Sequence, residues 1–243
     1  MIAVSIVSHH HGEFLPALIV ALDQFPEVEK IILTINVPDE SYLPKSDKLQ
    51  VIRNLSPKGF GDNHNSAFEE CYSDFFCVLN PDIFFLENPF PLLLDIFLNQ
   101  SVGVSAPLVC NQSLDIEDSF RNFPSLSSLF LKVFFDKKGQ SNYQGDGEPF
   151  LSDWVAGMFM LFERKTFSIL GGFDRKYYLY YEDVDICARV WSINRSVYVV
   201  PAAKVIHDAR RQSHKNLKFF LWHLKSLTRY LVKNFNLPKR TQG

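Results

Sequence analysis

Strand-like and helix-like patterns alternate from the start of the chain, and this alternation restricts the fold more than any other feature. Residues 2–7 form a continuous apolar run, residues 13–25 carry apolar side chains at helical spacing, and residues 31–35 form a second β-branched run. Two apolar strands separated by a helix are typical of a βαβ unit with parallel, buried strands. The sequence therefore predicts an α/β fold with a mixed, mainly parallel sheet flanked by helices.

The same alternation continues along the rest of the chain. Apolar or β-branched runs predict further strands at residues 51–54, 75–79, 102–107, 154–162, 197–201 and 204–207. Helical spacing predicts helices at residues 63–72, 90–99, 166–170 and 184–193. Residues 111–150 carry scattered polar residues, Gly and Pro around one apolar piece at 126–135, which predicts an irregular excursion from the sheet.

Composition favours one ordinary domain. With 243 residues, of which 47% are hydrophobic, the chain can bury a complete core without covalent staples. Its four cysteines form no CxxC pair and lie in or beside apolar segments, so neither disulfides nor a structural zinc are expected. No basic leader precedes the first strand, and no stretch reaches about 18 uncharged apolar residues. We therefore expect one cytoplasmic domain with a C-terminal extension.

Charge is distributed unevenly along the chain. Of 25 Lys or Arg and 27 Asp or Glu in total, residues 204–243 hold ten basic residues and one acid, which leaves 15 basic and 26 acidic residues before them. The acidic body disfavours nucleic acid as a ligand, whereas the basic tail suits a membrane surface or a phosphate-bearing ligand. From residue 217 the apolar residues follow helical spacing, which predicts a basic amphipathic helix. Such a helix lies on anionic lipid, packs on its own domain, or packs on a second subunit as in a homodimer.

Polar side chains follow three of the predicted strands at the point where each strand ends. Ser8 and His9 follow the first strand, Asn36 follows the second, and Asp82 follows the strand at 75–79. Ligands of parallel α/β sheets bind outside the carboxyl ends of the strands, so these side chains should meet at one crevice. The histidines after the first strand are adjacent and cannot all face one ion, so we place no metal there.

Six short motifs follow one another in a distinctive order. They are Lys58-Gly59-Phe60-Gly61 leading to Asn65, Asn80-Pro81-Asp82, Trp154-Val155-Ala156-Gly157, Gly171-Gly172-Phe173-Asp174, Tyr180-Tyr181-Glu182-Asp183-Val184-Asp185 and His207. This order, over residues 2–235, resembles family 2 glycosyltransferases of the GT-A fold, and among them the bacterial rhamnosyltransferase branch. The resemblance implies a Rossmann-like GT-A catalytic domain over residues 1–208, with residues 209–243 as a helical extension of the same structural unit.

The resemblance also implies a divalent metal, Mg²⁺ or Mn²⁺, that neutralises the diphosphate of a nucleotide-sugar donor. Asp82 is the first expected ligand, and His207 the second, because imidazole accepts Mn²⁺. Asn80 stands where the family has the first acid of its DxD motif, and should contact ribose or a metal-bound water. Without the other motifs, the simpler interpretation of His207 is a structural histidine at a strand end.

A general base must take the proton of the acceptor hydroxyl as that hydroxyl attacks the sugar. The resemblance assigns this role to the acidic pair, with Asp183 as the base and Glu182 as the residue that orients the acceptor, although the two roles could be exchanged. A second hypothesis is that these acids only cap the following helix, because acids are favoured in a first turn. Asp185 is expected to be structural.

Further residues of the motifs are expected to contact the nucleotide-sugar, together with Asn80 and Asp82. They are Ser8, His9, Asn36, Lys58, Gly59, Asn65, Trp154 and Gly157. Lys58 would reach phosphate beside a tight glycine turn, but a plain turn explains Gly59 about as well. Trp154 would form a stacking wall for a sugar ring, whereas an aromatic residue in an apolar run is more often part of the core.

Taken together, the resemblance implies an inverting glycosyltransferase that moves a sugar, such as L-rhamnose, from a dTDP- or UDP-linked donor. The acceptor would be a polysaccharide or a lipid-linked glycan of the bacterial surface, such as O-antigen, at the inner face of the membrane. A sugar nucleotidyltransferase is disfavoured, because its Gly-rich basic loop would follow the first strand, where Ser8 and three histidines stand. An inactive GT-A-like scaffold subunit stays open, because Asn80 and Ile35 replace acids.

Overall fold

The computed structural model describes residues 1–38, 42–99, 101–124, 147–207 and 217–234. The strands in these ranges are β1 (Ile2–Ser8), β2 (Val28–Ile35), β3 (Leu49–Arg53), β4 (Phe75–Leu79), β5 (Ile83–Phe85), β6 (Val102–Cys110), β7 (Phe120–Arg121), β8 (Phe150–Leu151), β9 (Trp154–Val155), β10 (Phe159–Glu163) and β11 (Ser196–His207). The helices are α1 (Leu15–Gln24), α2 (Phe60–Phe68), α3 (Phe90–Asp95) with a 3₁₀ turn (Ile96–Leu98), α4 (Arg164–Ile169), α5 (Glu182–Ser192) and α6 (Leu217–Lys233).

Nine of the described strands form one sheet in the order β3-β2-β1-β4-β10-β6-β11-β5, with β8 beside β11. The four strands β1 to β4 run parallel, and so do β6 and β11. By contrast, β10 is antiparallel to β4 and β6, and both β5 and β8 are antiparallel to β11. The sheet is mixed and mainly parallel, which confirms the predicted fold class.

Helices cover both faces of this sheet. On one face α1 and α3 bury Leu18 and Phe90 against the strands. On the other face α2, α4 and α5 pack around Phe167, whose ring centroid lies 5.0 Å from that of Phe162 and 5.6 Å from that of Phe173. Burial of such aromatic rings is a major source of stability in a core. The cluster also fixes Phe173, which lies beside the candidate site.

The second half of α6 packs on the domain. Tyr230 is buried with Tyr177 and Val184 in a small separate cluster, and the Ser226 hydroxyl donates to the Leu179 carbonyl at 2.9 Å. No helix in the described part of the chain is long and apolar enough to cross a membrane. In the first half of α6 the Trp222 ring centroid lies 4.6 Å from that of Tyr178. Packing of the predicted tail helix on its own domain is therefore observed.

Ion pairs reinforce this packing. Asp174 accepts hydrogen bonds from Arg229 at 2.6 Å and from Lys233 at 2.8 Å, and Lys233 also lies 2.7 Å from the fully buried Asp185. Burial alone would raise the pKa of Asp174, but these two cations outweigh it and hold that pKa well below its usual value. Two positive charges of the basic tail are therefore neutralised by the acidic body.

Several predicted boundaries are wrong. Residues 154–162 form two strands rather than one, because β9 pairs with β7 in a separate two-stranded sheet whereas β10 joins the large sheet. Residues 197–207 form one strand rather than two, because the irregularity between Val200 and Lys204 is a bulge that does not end the pairing with β6. The helix predicted at 63–72 is α2, which begins earlier and ends earlier. The apolar piece at 126–135 lies outside the described residues.

Candidate active site

Asp82 lies at the carboxyl end of β4, in a turn that is tied to the neighbouring strand. The backbone N–H of Asn80 donates to the Met158 carbonyl at 2.9 Å, which holds the start of this turn against the residues before β10. The Asp82 side chain is buried, and among the described residues its Oδ1 atom has no hydrogen-bond partner. A buried carboxylate oxygen without a partner is costly, so this atom is suited to a ligand or a cation.

His207 faces Asp82 from the end of β11. Antiparallel pairing of β11 with β5 places His207 opposite Ile83, the residue after Asp82. The His207 Nε2 atom lies 3.3 Å from Asp82 Oδ2, and the Nδ1 atom lies 2.8 Å from Glu117 Oε2. Burial alone would lower the pKa of His207, but Asp82 and Glu117 outweigh it and raise that pKa. The imidazole is therefore held between two carboxylates.

These residues fit a divalent cation. Asp82 supplies an unpartnered carboxylate oxygen, Oδ1, and the His207 Nε2 atom lies beside the other oxygen of the same carboxylate, Oδ2. Glu117 bonds the other ring nitrogen, which is the usual way in which proteins orient a metal-binding histidine. The described residues contain no group of three or more His, Cys, Asp or Glu side chains that could hold a metal ion.

The acidic pair lies at the start of α5. Asp183 accepts hydrogen bonds from the Gly157 N–H at 3.1 Å and the Val184 N–H at 2.8 Å, and is only partly buried. Glu182 is 5% exposed, and its Oε2 has no partner among the described residues. The N-cap of α5 is Tyr181 and has no side-chain cap hydrogen bond, so the acids lie in the first helical turn, where negative charge is favoured, and not at the cap itself.

Burial sets the protonation of this pair. Burial raises the pKa of Glu182 far above its usual value, and the charge of Asp183 raises it further. Burial also raises the pKa of Asp183, but bonds from the Gly157 and Val184 N–H groups counteract the rise. Both pKa values are therefore raised, and that of Glu182 is raised further because Asp183 alone accepts two backbone N–H groups.

Gly157 lies between the acidic pair, Glu182 and Asp183, and the turn that carries Asp82. Its N–H bonds Asp183, and the next residue, Met158, accepts the hydrogen bond from Asn80 in the turn of Asp82. A Cβ atom at position 157 would lie 3.1 Å from the Phe60 ring, closer than most real contacts. Two adjacent residues, Gly157 and Met158, therefore bond the acidic pair and the turn of Asp82, respectively.

A second cluster of predicted residues surrounds Asn36, at the ends of β1 and β2. The Asn36 amide accepts from the Lys58 N–H at 2.8 Å, donates to the Lys58 carbonyl at 3.0 Å, and lies 3.3 Å from His9 Nδ1. Ser8 Oγ accepts from the His11 N–H at 3.4 Å. These bonds fix the backbone around Lys58, whose side chain is exposed. Ser8, His9, Asn36 and Lys58 are thus brought together.

Gly59 and Asn65 have structural partners. A Cβ atom at Gly59 would lie 2.7 Å from the Tyr178 carbonyl oxygen, so the close approach of two backbones requires glycine at this position. The Asn65 amide donates to the Phe173 carbonyl and accepts from the Phe173 N–H, both at 2.8 Å. Both polar groups of Asn65 are therefore used within the protein.

Trp154 and Asp185 each have a hydrogen-bond partner within the protein. The half-buried Trp154 donates its indole N–H to the Asn122 carbonyl at 3.1 Å. Asp185 is fully buried and accepts from Arg189 at 2.8 Å, in addition to its pairing with Lys233. Asp185 thus holds α5 and α6 together, which is the structural role expected for it.

Glu117 and Arg121 are site residues that the sequence did not indicate. Glu117 reaches His207 because its N–H bonds the Val109 carbonyl at 2.9 Å, after a loop that returns to β6. Arg121 pairs with Asp118, and its charge lowers the pKa of Asp183. Both residues lie in a segment without periodicity, so only the tertiary fold reveals them.

Solved structures with the same fold are glycosyltransferases. GalNAc-T7 with UDP, GalNAc and Mn²⁺ has a TM-score of 0.69 at 16% identity, over 96% of this chain and 47% of that chain. Mannosyltransferase PcManGT from Pyrobaculum calidifontis, with GDP-Man and Mn²⁺, has a TM-score of 0.62 at 11% identity, over 98% of this chain and 65% of that chain. The fold is therefore that of GT-A glycosyltransferases.

Proteins with similar sequences are rhamnosyltransferases, a narrower class within the glycosyltransferases. The chain is 30% identical to rhamnosyltransferase WbbL of Escherichia coli K12, over 99% of this chain and 96% of that protein. It belongs to the family of that rhamnosyltransferase and is a glycosyltransferase, as its motifs predict. It is also 28% identical, over 60% of its length, to an N-acetylglucosaminyl-diphospho-decaprenol L-rhamnosyltransferase of Mycobacterium tuberculosis, of which it spans about half, 51%. No protein-family model matches the chain.

Proposed function

We propose that the chain is an inverting, metal-dependent family 2 glycosyltransferase that transfers L-rhamnose from a dTDP- or UDP-linked donor. The proposed acceptor is a lipid-linked glycan of the bacterial surface, and a growing polysaccharide is the alternative. The observation that carries the proposal is the unpartnered, buried oxygen of Asp82 beside His207 at the end of β4. The names of WbbL and of the mycobacterial relative support the choice of sugar, and the latter supports the acceptor.

Asp82 and His207 would hold the Mg²⁺ or Mn²⁺ ion, and Glu117 would orient His207. The cation would neutralise the donor diphosphate as it becomes the leaving group. The side chains of His9 and Lys58 are held near Asn36 at the end of β2 and would contact the nucleotide there. Ser8 is fully buried and would support this site through its bond to the His11 N–H. Gly59 would act through its backbone.

Asp183 is the proposed general base. Its carboxylate takes the proton of the acceptor hydroxyl, whose oxygen attacks the anomeric carbon from the face opposite the diphosphate. The bond between that carbon and the diphosphate oxygen breaks, and the electron pair leaves with the diphosphate, so the configuration inverts. Glu182 is more deeply buried than Asp183, and burial raises its pKa further, which favours Asp183 over Glu182 for this role.

Thermal-shift measurements with UDP, dTDP and GDP, each with Mn²⁺, Mg²⁺ or EDTA, test the donor and metal sites. A ligand that binds only the folded protein raises its melting temperature by mass action. We expect a metal-dependent rise with dTDP or UDP that is lost in Asp82→Ala and kept in Asp95→Ala, a change at an exposed carboxylate. If no nucleotide gives a rise and dTDP-rhamnose is not hydrolysed, the chain is a GT-A-like scaffold subunit instead.

We also propose that the protein is cytoplasmic and binds the inner face of the membrane through α6. Phe220, Leu221 and Leu224 are 61%, 55% and 48% exposed in the first half of α6, where Trp222 and His223 provide the contacts with the domain. The basic residues of the tail favour anionic lipid at such a surface. Co-sedimentation with phosphatidylglycerol vesicles should be lost in Leu221→Gln/Leu224→Gln and kept in Leu98→Gln. If this double substitution instead turns a dimer into a monomer, the face is a subunit interface.

A further inference from the structure

A cavity of about 790 Å³ lies at the far end of the sheet from the Asn36 cluster. Its walls come from the segment after β5, from α3, from the end of β6 with the loop that follows, and from the middle of β11. Pockets that enclose small ligands have volumes of about 300–1,000 Å³ and are mainly apolar. The volume and the walls of this cavity are those of a ligand site.

The cavity is lined by large apolar side chains that remain accessible. Leu86, Leu92, Leu114 and Ile116 are 52%, 44%, 60% and 47% exposed, and all four line this cavity. Single exposed apolar residues are ordinary on a protein surface, whereas several in one concave patch mark a binding site. The ligand of this cavity is therefore expected to be apolar.

One loop contributes residues to both the cavity and the candidate active site. Ile116 lines the cavity, and the next residue, Glu117, bonds His207. A β-bridge between Cys110 and Ile116 fixes this loop against the end of β6. The sheet order separates the two ends of the site, with the Asn36 cluster at β1 and β2 and the cavity at β6, β11 and β5. The cavity thus adjoins the half of the site opposite the proposed nucleotide position.

The bulge of β11 shapes the floor of the cavity and places a cation at its rim. Val200 pairs with Pro107 and Lys204 with Leu108, so residues 201–203 are extra residues on β11. They line the cavity together with Lys204, whose side chain is exposed. Glu87, on the segment after β5, also lines it. A mainly apolar cavity whose lining includes this exposed ammonium group suits a molecule that has a hydrocarbon chain and an anionic head, with the head at Lys204 and away from Glu87.

We propose that this cavity binds the isoprenoid chain of a diphosphate-linked acceptor, and that Lys204 pairs with the acceptor's diphosphate. The inference rests on the proposed function, in which the acceptor is lipid-linked. It adds the position of the lipid chain, the four residues that contact the chain, and the residue that contacts the diphosphate. The four are Leu86, Leu92, Leu114 and Ile116, and the fifth residue is Lys204. The active site then receives the donor from one end of the sheet and the acceptor from the other.

Photo-crosslinking with a diazirine-bearing farnesyl diphosphate tests the site on the full chain, in EDTA so that no cation holds the probe at Asp82. We expect labelled peptides that contain residues 86–92 and 108–116, with competition by farnesyl diphosphate but not by inorganic diphosphate. Leu92→Gln/Leu114→Gln should reduce labelling by about tenfold, because it removes two apolar contacts of the chain. Leu98→Gln, at a leucine that is 82% exposed and outside the cavity, should leave labelling unchanged.

Lys204→Gln separates the two parts of the ligand. It should weaken labelling by the diphosphate probe by about fivefold and leave labelling by a diazirine-bearing farnesol unchanged. Labelling at other peptides, or equal labelling of Leu92→Gln/Leu114→Gln and the wild type, would overturn the proposal. So would a dimer in light scattering that Leu92→Gln/Leu114→Gln turns into a monomer, because the cavity would then be a subunit interface.

Failure of this proposal and failure of the proposed function give different results. Labelling in EDTA requires neither donor nor turnover, whereas metal-dependent hydrolysis of dTDP-rhamnose requires no lipid. Hydrolysis without labelling of the cavity leaves the transferase function intact and removes the lipid site. Labelling of the cavity without nucleotide binding or hydrolysis supports a lipid-binding scaffold subunit.

Discussion

The imidazole Nε2 of His207 lies 3.3 Å from the carboxylate of Asp82, although the two residues come from different halves of the chain. The strand pairing explains this proximity, because β5 follows Asp82 and runs antiparallel to the end of β11. On its other side His207 bonds Glu117 at 2.8 Å. A histidine held in this way keeps one nitrogen directed at the proposed cation site. Substitution of Glu117 therefore tests whether this orientation contributes to metal binding.

Glu117→Gln should weaken Mn²⁺ binding by about 10- to 100-fold, because a carboxylate that orients a metal-binding histidine also increases its basicity. Titration of Mn²⁺ in the presence of dTDP, followed by thermal shift, measures this change. Asp82→Asn should abolish the Mn²⁺-dependent shift, whereas Asp95→Asn, at an exposed carboxylate, should match the wild type. Unchanged Mn²⁺ affinity in Glu117→Gln would mean that His207 is not a ligand.

Asp183→Asn should lower kcat by about 10²- to 10⁴-fold, because an amide cannot take the proton of the acceptor hydroxyl. Nucleotide binding in the thermal-shift measurement should not change, since Asp183 bonds only the Gly157 and Val184 N–H groups among its described partners. Glu182→Gln keeps a neutral group at the buried position and should affect kcat much less. A larger loss in Glu182→Gln than in Asp183→Asn would exchange the two roles.

The sequence predicted the main residues of the site because they belong to short motifs that occur in a fixed order. Asp82 and Asp183 each follow or begin a regular element, so their position in the fold could be inferred from local periodicity. Glu117 could not, because it belongs to an irregular segment and reaches His207 only through a backbone bond to Val109. The local sequence pattern thus predicts functional residues at the ends of helices and strands, but it misses residues that a loop places beside the site.

The fold class was predictable for the same reason, and the detailed boundaries were not. Apolar runs in β1, β2 and β4 are long and continuous, so their strand character was clear from the sequence. The exposed residues 202 and 204 interrupt the pattern of β11, although the backbone pairing resumes at Lys204. Pairing with neighbouring strands, rather than the local pattern, therefore decides where such a strand ends.

Asp174→Asn should lower the free energy of unfolding by about 1.5–3 kcal/mol, because hydrogen bonds to a charged group are lost. Arg229 and Lys233 both donate to Asp174, and these bonds attach α6 to the domain. Urea denaturation at pH 7 measures the loss, and limited trypsin digestion should cut α6 faster. Asp95→Asn should change neither quantity. Equal digestion of Asp174→Asn and the wild type would show that the apolar contacts of Tyr230 suffice to hold the helix.

His64 should make the protein less stable at acidic pH. The ring is fully buried, with Nδ1 2.8 Å from the Ser5 hydroxyl, and among the described residues Nε2 has no hydrogen-bond partner. Burial lowers the pKa of His64 from 6.5 to about 3. The unfolded chain therefore binds the proton first as the pH falls, so the stability that neutral His64 provides is complete above pH 6.5 and is lost toward pH 3.

The free energy of unfolding should consequently fall by up to about 1.4 kcal/mol for each pH unit below 6.5, in addition to the effect of other groups. His64→Gln keeps a neutral hydrogen-bonding side chain beside Ser5 and removes this titration. Urea denaturation of both proteins at pH 7, 6, 5 and 4.5 isolates the contribution of His64 as the difference between the two curves. Parallel curves would mean that the pKa of His64 is the same in the folded and the unfolded chain.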